Sequence, residues 1–343
     1  MIFFGDFASY RKSLKINFQK DYLGATILLN CEGYLVEDAG VHNTVFNNIK
    51  LFKDLSNNYD IVLNLSNNHT MDVDNGVAQS LKLAQSNNLQ TVGAGLVLNE
   101  AERPLIKIIN GIEVAIISGG WDVIGCKYAS NNSQGVAPLD SKYLLNQIST
   151  QKKLGRKIAI YLHWSYELEV YPQPTHRELA RRCIDAGADI ILGCHSHCLQ
   201  GFEKYNQKYI FYGLGNTVFD ENYFFDGKLS FPVLCKTGLA VDWEPVSGQV
   251  LVTTTTYENN ILVVSDFVEP ESLRVINKLS EFSNMNSQEY LEFFKKNRRK
   301  KNLLPIFSET DTSMIYHVKR HFLFFRAKVI KKMFVLGIKG GSK

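Results

Sequence analysis

Short apolar runs alternate with amphipathic stretches along the first 260 residues of the chain. Continuous apolar runs predict strands buried on both faces, whereas apolar positions three and four residues apart predict helices. The predicted helices cover 44–59, 76–88 and 175–187, and the predicted strands cover 26–30, 60–66, 89–95, 157–165, 188–198 and 208–216.

Two further stretches indicate antiparallel pairing. Residues 105–118 form two apolar runs around Asn110-Gly111, a dipeptide that favours a tight hairpin turn. Residues 238–260 have the pattern of a late antiparallel meander. Strands that alternate with helices imply sheets covered by helices, so we expect an α/β fold whose sheets are mixed. After Pro270 the pattern becomes helical and basic, and we predict one domain at 1–268 and a helical extension at 269–343.

Composition narrows the class of protein. The chain has 343 residues, 45% of them hydrophobic, which is enough for a large core. Six cysteines are too few for a disulfide scaffold, so we expect free thiols in a reducing compartment. The N-terminus lacks the pattern of a signal peptide, and no apolar run is long enough to span a bilayer. We therefore expect a cytoplasmic location.

Charge is distributed unevenly. Residues 289–343 contain fourteen Lys and Arg against four Asp and Glu, a balance of +10, whereas residues 1–288 contain 24 against 30, a balance of −6. A basic tail on an acidic body predicts an anionic partner for the tail. Nucleic acid is disfavoured, because no recognition motif accompanies the basic run at 295–301.

The segment 317–339 has helical periodicity. On a helical wheel, one arc is basic and the opposite arc is apolar; the basic arc contains Arg320, His321, Lys328, Lys331 and Lys332, and the apolar arc contains Phe322, Phe325, Val329, Met333 and Leu336. Two interpretations stay open here. The helix lies peripherally on an anionic membrane surface at the inner face, or it packs on the body with a solvated basic face.

Six predicted strands end in polar residues that are common metal ligands: a first strand near the N-terminus, which ends at Asp6, and five of the six strands given above. In open α/β sheets, ligands bind at the carboxyl ends of the strands, so these side chains converge if the strands are neighbours. They are Asp6, Glu32, Asn68 with His69, His163, His195 with His197, and Asn216.

Carboxylates, imidazoles and an amide oxygen suit a divalent ion such as Mn, Fe or Zn, and the number of groups suits two ions that share a carboxylate. Taken singly, each residue has a structural alternative. Asp6 and Asn68 are also typical of turns or caps, and His163 is typical of a core histidine. The prediction therefore depends on the recurrence of these residues at strand ends.

The sequence Gly-Cys-His-Ser-His-Cys at 193–198 places two cysteines beside the paired histidines. In an extended segment, His195 and His197 point to the same side. Cys194 and Cys198 then point away, as buried thiols behind the site. Cysteine ligation and a disulfide between them are the less favoured alternatives.

These motifs, in this order, resemble the CapA/PgsA family of capsule (poly-gamma-glutamate) biosynthesis proteins within the calcineurin-like metallophosphoesterase superfamily. The resemblance covers about residues 2–220, and its pieces read FFGDF, NCEG, LSNNHTMD, YLHWSYE, LARRCIDAGADIILGCHSHC and IFYGLGN. It implies a four-layer sandwich of two mixed sheets flanked by helices, with a dinuclear metal centre in its loops.

The resemblance also implies roles for individual residues. His69 is the implied catalytic histidine. Glu32 is the implied bridging carboxylate, and the other implied ligands are Asp6, Asn68, His163, His195 and His197. The positions implied to line the substrate pocket are Glu167, Asn216 and Trp164. Arg11 is a further candidate that would neutralise substrate charge, although a surface arginine is the default interpretation of this residue.

Two hypotheses about function follow. One is a metal-dependent phosphoesterase-type hydrolase in capsule or surface-polymer biosynthesis, with an anionic or phosphate-bearing polymer precursor as substrate. The other is a metal-binding partner of the capsule machinery that does not turn over and that docks at the membrane surface. Ala8 leaves room for the second, because many superfamily members have a histidine there.

Overall fold

The computed structural model describes residues 1–38, 43–299 and 304–335, with side chains up to residue 329. The strands, in chain order, are β1 (Ile2–Ala8), β2 (Lys15–Phe18), β3 (Thr26–Cys31), β4 (Tyr34–Val36), β5 (Phe46–Asn48), β6 (Asp60–Asn64), β7 (Gln90–Val92), β8 (Ala94–Gly95), β9 (Leu105–Ile109), β10 (Ile112–Gly120), β11 (Gly135–Val136), β12 (Lys157–His163), β13 (Ile190–Cys194), β14 (Phe202–Tyr205), β15 (Lys208–Phe211), β16 (Asn216–Phe219), β17 (Thr237–Trp243), β18 (Val250–Glu258) and β19 (Ile261–Val264).

The α-helices lie between and after these strands. They are α1 (Ile49–Leu55), α2 (Gly76–Ser86), α3 (Leu98–Ala101), α4 (Ser141–Lys153), α5 (Pro174–Ala186), α6 (Phe224–Gly227), α7 (Arg274–Asn277), α8 (Ser287–Asn297) and α9 (Ser313–Val335). In the part of the chain that the structure describes, no helix is long and apolar enough to cross a bilayer.

Two mixed sheets form the centre of the fold. The larger has the order β2-β19-β18-β17-β1-β3-β6-β7, with β16 also paired to β1, and the smaller has the order β14-β15-β13-β12-β10-β9. The strands β1, β3, β6 and β7 run parallel, as do β10, β12, β13 and β15. The predicted hairpin is the antiparallel pair β9–β10, and the predicted meander begins with the antiparallel pair β17–β18.

Three apolar clusters separate four layers. One lies between the sheets and contains Phe3, Leu28, Ile116 and Leu192. A second packs α1 and α2 on the outer face of the larger sheet, and a third packs α4 and α5 on the outer face of the smaller sheet. The predicted fold class, a four-layer α/β sandwich of two mixed sheets with a helical C-terminal extension, is confirmed.

The extension packs on the outer face of the smaller sheet. Its buried residues Phe282, Tyr290, Phe294, Phe307 and Leu323 belong to the same apolar cluster as α4 and α5. The boundary near 268 stays a prediction, and residues 300–303 and 336–343 lie outside the described residues.

The helix predicted at 44–59 is wrong in its first turn. Residues 46–48 form β5, and α1 begins at Ile49. Asn48 ends the strand because its side chain accepts a hydrogen bond from the Lys50 amide at 3.0 Å, which caps the helix. Asn47 lies in β5 and not in the helix because its side chain accepts from the Ser9 amide and donates to the Glu32 carbonyl. Both partners lie next to the strand ends that carry the polar residues.

Candidate metal centre

The carboxyl ends of β1, β3, β12 and β13 meet where the two sheets face each other, and the predicted ligands converge there. Asp6 lies within β1, Glu32 follows β3 directly, His163 ends β12 and His195 follows β13 directly. The His163 Nδ1 lies 3.8 Å from an Asp6 oxygen, and the His197 Nε2 lies 3.6 Å from a Glu32 oxygen. Side chains almost two hundred residues apart in sequence thus share one buried pocket.

Two overlapping groups of side chains in this pocket have the spacing of metal ligands. One group is Glu32, His163 and His195, and the other is Asp6, Glu32 and His197. Within each group, one ligand atom per residue lies within 4.8 Å of the others. Both groups contain Glu32, which is the arrangement that a carboxylate shared between two ions requires.

The Glu32 carboxylate is fully buried, and neither of its oxygens has a hydrogen-bond partner among the described residues. Burial, reinforced by the nearby carboxylates of Asp6, Glu167 and Asp72, raises its pKa well above the usual value. A buried charge without a partner is costly unless a cation compensates it. The residues of this pocket therefore fit a divalent metal on chemical grounds.

Two amide groups hold the Asp6 carboxylate in place by hydrogen bonds. Its two oxygens each accept the His195 amide at 3.0 Å, and one also accepts the Asn30 side-chain amide at 2.7 Å. Burial raises the pKa of Asp6, whereas the His197 ring and these amides oppose the rise. The strand β1 lies close to the backbone of Gly215 because Gly5 has no side chain. A Cβ at position 5 would lie 1.9 Å from the Gly215 carbonyl oxygen.

The loop that carries the paired histidines is bent, and the expected extended segment is wrong. His195 and His197 have φ values of +89° and +55°, in the left-handed region that costs a non-glycine residue about 1–2 kcal/mol. The hydrogen bonds from the His195 amide to Asp6 stabilise this conformation. Both rings still reach the pocket, but they do so because the backbone turns at each histidine.

His163 lies between two amide side chains. Its Nε2 is 2.7 Å from the Asn68 Oδ1, and its Nδ1 is 3.0 Å from the Asn30 Nδ2. Burial, with smaller contributions from the His197 and His69 rings, lowers the pKa of His163 well below its usual value. A neutral imidazole is the form that binds a metal ion.

His69 lies at the mouth of the pocket and is one-fifth exposed. Its Nδ1 is 2.7 Å from an Asp72 oxygen, and its Nε2 is 3.8 Å from a Glu32 oxygen. Asp72 thus fixes the ring so that Nε2 points into the pocket. The Phe225 ring lies 6.1 Å away, edge-on to the imidazole, and limits its movement on the other side.

The four residues implied to bind substrate occupy different surroundings. Glu167 is exposed and contributes to the electrostatic field at Glu32. Asn216 begins β16, and its Oδ1 accepts from the His197 Nδ1 at 2.9 Å, so it orients that ring. Arg11 is partly exposed and forms an ion pair with Asp220 at 3.2 Å.

Trp164 offers no surface to a substrate, because it is fully buried. Its indole N–H donates to the Tyr212 carbonyl at 2.9 Å, and its ring stacks on His176 with centroids 5.0 Å apart. The geometry therefore assigns Trp164 to the core behind β12.

A chain of buried amides and hydroxyls lies behind the ligands, and no role was predicted for it from the sequence. Asn30 bonds both Asp6 and His163, the Asn64 Nδ2 donates to the Asn30 Oδ1 at 2.9 Å, and the Ser118 hydroxyl donates to the Asn64 Oδ1 at 2.6 Å. The available signal was an asparagine at the end of each of two apolar strands, β3 and β6. A buried amide in such a place needs polar partners.

All six cysteines are free and buried. Cys194 belongs to the cluster between the sheets, and burial raises the pKa of its thiol. The Cys198 thiol lies 3.4 Å from the Glu169 carbonyl. The prediction of buried thiols behind the histidines is confirmed, and neither cysteine belongs to the two ligand groups.

Ser165 follows Trp164 with a φ of +74°, a left-handed conformation that favours glycine. Its hydroxyl accepts from the Gln200 side-chain amide at 3.1 Å, which holds the turn after β12. A side-chain hydrogen bond thus stabilises this turn, as the Asp6 carboxylate stabilises the turn at His195.

Comparison with curated proteins shows similarity to capsule proteins, two of which are described here. The chain is 37% identical over 196 residues to the PGA biosynthesis protein CapA of Bacillus subtilis (strain 168), covering 56% of this chain and 50% of that protein. It is 36% identical over 167 residues to the capsule biosynthesis protein CapA of Bacillus anthracis, covering 47% of this chain and 41% of that protein. The chain thus spans about half the length of the curated relatives it matches.

Solved structures give more distant similarities. The chain shares 16% identity with a 5′-nucleotidase precursor from Thermus thermophilus, with a TM-score of 0.33 over 60% of this chain and 38% of that one. It shares 13% identity with the NAD nucleotidase of Haemophilus influenzae, with a TM-score of 0.32 over 82% and 52%. Similarity at this level is too low to transfer an activity.

Comparison with protein families gives a match over residues 27–221, which is more than half of the chain. The matched segment contains the predicted ligands Glu32, Asn68, His163, His195 and His197. The matching family model is that of the bacterial capsule synthesis protein PGA_cap, and the chain belongs to this family.

Proposed function

We propose that this chain is a metal-dependent phosphoesterase-type hydrolase that acts on an anionic or phosphate-bearing polymer precursor in capsule or surface-polymer biosynthesis. The observation that carries the proposal is the buried Glu32 carboxylate, which has no hydrogen-bond partner among the described residues and belongs to both ligand groups. Membership of a capsule synthesis family supports the biological setting.

The residues that would hold two divalent ions are Asp6, Glu32, His163, His195 and His197, with the Asn68 amide oxygen beside His163. Bound there, divalent ions polarise a phosphoryl oxygen and lower the pKa of a water molecule. The protein contributes a rigid cage, because Asn30 and the His195 amide fix Asp6, and Asn216 fixes the His197 ring.

His69 would act on the substrate itself. Its Nδ1 bonds Asp72, which leaves Nε2 directed toward the pocket on a partly exposed ring. From this position Nε2 donates a proton to the leaving oxygen or stabilises the charge that develops in the transition state. Glu167, an exposed carboxylate whose charge reaches Glu32, would orient the substrate or a bound water molecule.

A second candidate is a metal-binding component of the capsule machinery that does not turn over. Ala8 favours it, because a buried methyl group stands where many superfamily members have a histidine. Both candidates require bound metal, and only the first requires His69.

The test combines metal analysis with an activity assay. We expect purified protein reconstituted with Mn to hold close to two equivalents and to hydrolyse a generic aryl phosphate. His69→Ala should retain the metal and lose at least a hundredfold in kcat, because general acid catalysis contributes about 10²–10⁴-fold. His321→Ala, on the exposed face of α9, is the control and should keep the parental rate.

Two results would contradict the hydrolase. The absence of bound Mn after reconstitution removes both candidates. Full Mn binding with no turnover of phosphomonoesters or phosphodiesters supports the second candidate instead.

A further inference from the structure

The C-terminal helix α9 packs on the body through one narrow face. The Tyr316 hydroxyl donates to an Asp122 oxygen at 2.8 Å and accepts from the Trp121 indole at 3.1 Å. Arg320 forms an ion pair with the same carboxylate at 2.6 Å, and Leu323 is buried in the outer core. These contacts, about one turn apart, fix which side of α9 faces the protein.

The opposite face of α9 is apolar and exposed. Its large side chains are 40% to 74% exposed, and they are Met314, Val318, Phe322, Phe325 and Val329. At about 100° per residue these five lie within an arc of roughly 80°, centred nearly opposite Tyr316 and Leu323. The helix thus packs on the body, as one of the two expected interpretations has it, but through Tyr316 and Leu323, and it leaves the apolar row of Phe322, Phe325 and Val329 exposed.

Cations border this apolar row on both sides. Arg326 lies at one margin, and Lys328 lies at the other, by the same helical geometry. From residue 313 to the C-terminus the sequence has eight Lys and Arg and no Asp or Glu. An exposed apolar row between cationic margins is the pattern of a helix that lies in the interface of an anionic bilayer.

We propose that the exposed face of α9, defined by the five apolar residues above, docks this protein on the surface of a membrane that contains anionic lipid. The competing occupant is a second copy of the chain, because Val318, Phe322, Phe325 and Val329 also have the spacing of a coiled-coil seam. In such a pair the flanking positions would bring cations against cations. Like charges at these positions oppose pairing, so charge favours the lipid surface.

Trp121 and Asp122, which contact α9, lie next to the candidate metal centre. Trp121, which bonds Tyr316 of α9, donates its backbone N–H to the carbonyl of His163, a predicted metal ligand, at 3.0 Å. The candidate site is therefore linked to the docking helix through Trp121, on the side of α9 that faces the body. The docking itself does not depend on turnover, and it can be tested on metal-free protein.

The test is sedimentation of the full chain with vesicles of phosphatidylglycerol and phosphatidylcholine, compared with vesicles of phosphatidylcholine alone. We expect at least tenfold tighter binding to the anionic vesicles. Raising the salt concentration from about 0.1 to 0.5 M should remove this binding, because the Debye length falls below about 10 Å and the charges are screened. The double variant Phe322→Asn with Phe325→Asn should bind at least tenfold more weakly. Ile108→Asn, which removes an equally exposed apolar residue on β9, is the control and should bind like the parent.

A second variant separates charge from packing. Arg326→Glu with Lys328→Glu keeps the apolar row, and we expect it to lose the preference for anionic vesicles. Thermal melting and far-UV circular dichroism check that each variant is folded.

Two outcomes would overturn the proposal. One is equal and weak binding to both kinds of vesicle by the parent. The other is a concentration-dependent dimer in analytical ultracentrifugation that the Phe322 and Phe325 substitutions abolish, since a second copy of the chain would then cover the row.

Discussion

The substitution Glu32→Gln tests the electrostatics of the pocket, because its effect on the free energy of unfolding should change sign when metal is added. The glutamate is fully buried, and its carboxylate has no hydrogen-bond partner among the described residues. Burial and the neighbouring carboxylates raise its pKa, so the folded protein binds this proton more tightly than the unfolded chain does. The stability that this carboxyl group contributes is therefore present at acid pH and is lost as pH rises above its unfolded pKa of 4.5.

The magnitude follows from the buried carboxylate. A buried carboxylate without a partner costs more than a neutral amide in the same place, which itself costs about 1–3 kcal/mol, and we take the difference to be of the same order. In metal-free buffer at pH 8, we therefore expect Glu32→Gln to be more stable than the parent by about 1–3 kcal/mol, which corresponds to a melting temperature about 1–4 °C higher for a chain of this length. With Mn at a hundredfold excess over its Kd, the parent should gain about 2.7 kcal/mol per site, and the variant should gain far less. The order of the two melting temperatures then reverses.

The assay is calorimetric melting in EDTA and in Mn, at pH 8 and pH 5. Glu113→Gln is the matched control, because that carboxylate is half exposed and pairs with Arg156 at the surface. Its substitution should change stability by less than about 1 kcal/mol in every buffer. A Glu32→Gln variant that melts below the parent in EDTA, or that gains as much from Mn, would show that the pocket does not hold an uncompensated carboxylate.

Three further predictions concern groups around the ligands. Asp72→Asn should leave the Mn content unchanged but lower kcat roughly tenfold or more, because it orients His69; an equal loss of Mn would contradict this role. Asn30→Ala should weaken Mn binding about 10–100-fold in calorimetric titration, and parental affinity would contradict its role in positioning the ligands. Burial lowers the pKa of His176 to about 3, so its contribution to stability is complete above pH 6.5 and declines as pH falls, by about 2 kcal/mol at pH 5 relative to pH 8. His176→Phe should remove that decline, whereas Trp164→Phe in the same stack should lower stability about equally at both pH values.

The site was predictable from the sequence because the same chemistry recurred at strand ends. Parallel strands place their carboxyl ends at one edge of a sheet, so Asp6 and Glu32 converge on the larger sheet and His163 and His195 converge on the smaller sheet without any knowledge of loops. The packing of the two sheets face to face then brings the two pairs together. The loops themselves were not predictable in this way. The turns at His195 and His197 depend on Asp6, which lies 189 residues away in sequence from the amide that it accepts.

The hydrophobic pattern also gave wrong or incomplete predictions where side-chain hydrogen bonds determine the backbone conformation or the packing. The apolar spacing of 44–59 is helical, but Asn47 and Asn48 delay the start of the helix by bonding to the loops of the site and to the helix itself. Likewise, the two-faced pattern of α9 did not reveal which face packs on the body. That choice depends on Tyr316 and Arg320 meeting Asp122, a contact between distant segments.

The proposed hydrolase requires that the buried carboxylate and imidazole groups form one cage for two divalent ions. Anomalous diffraction from crystals soaked in Mn would reveal such ions. We expect two peaks in the pocket, both within coordination distance of Glu32, one beside His163 and His195 and the other beside Asp6 and His197. Crystals that bind Mn elsewhere on the protein, or that show no peak beside Glu32, would contradict the cage.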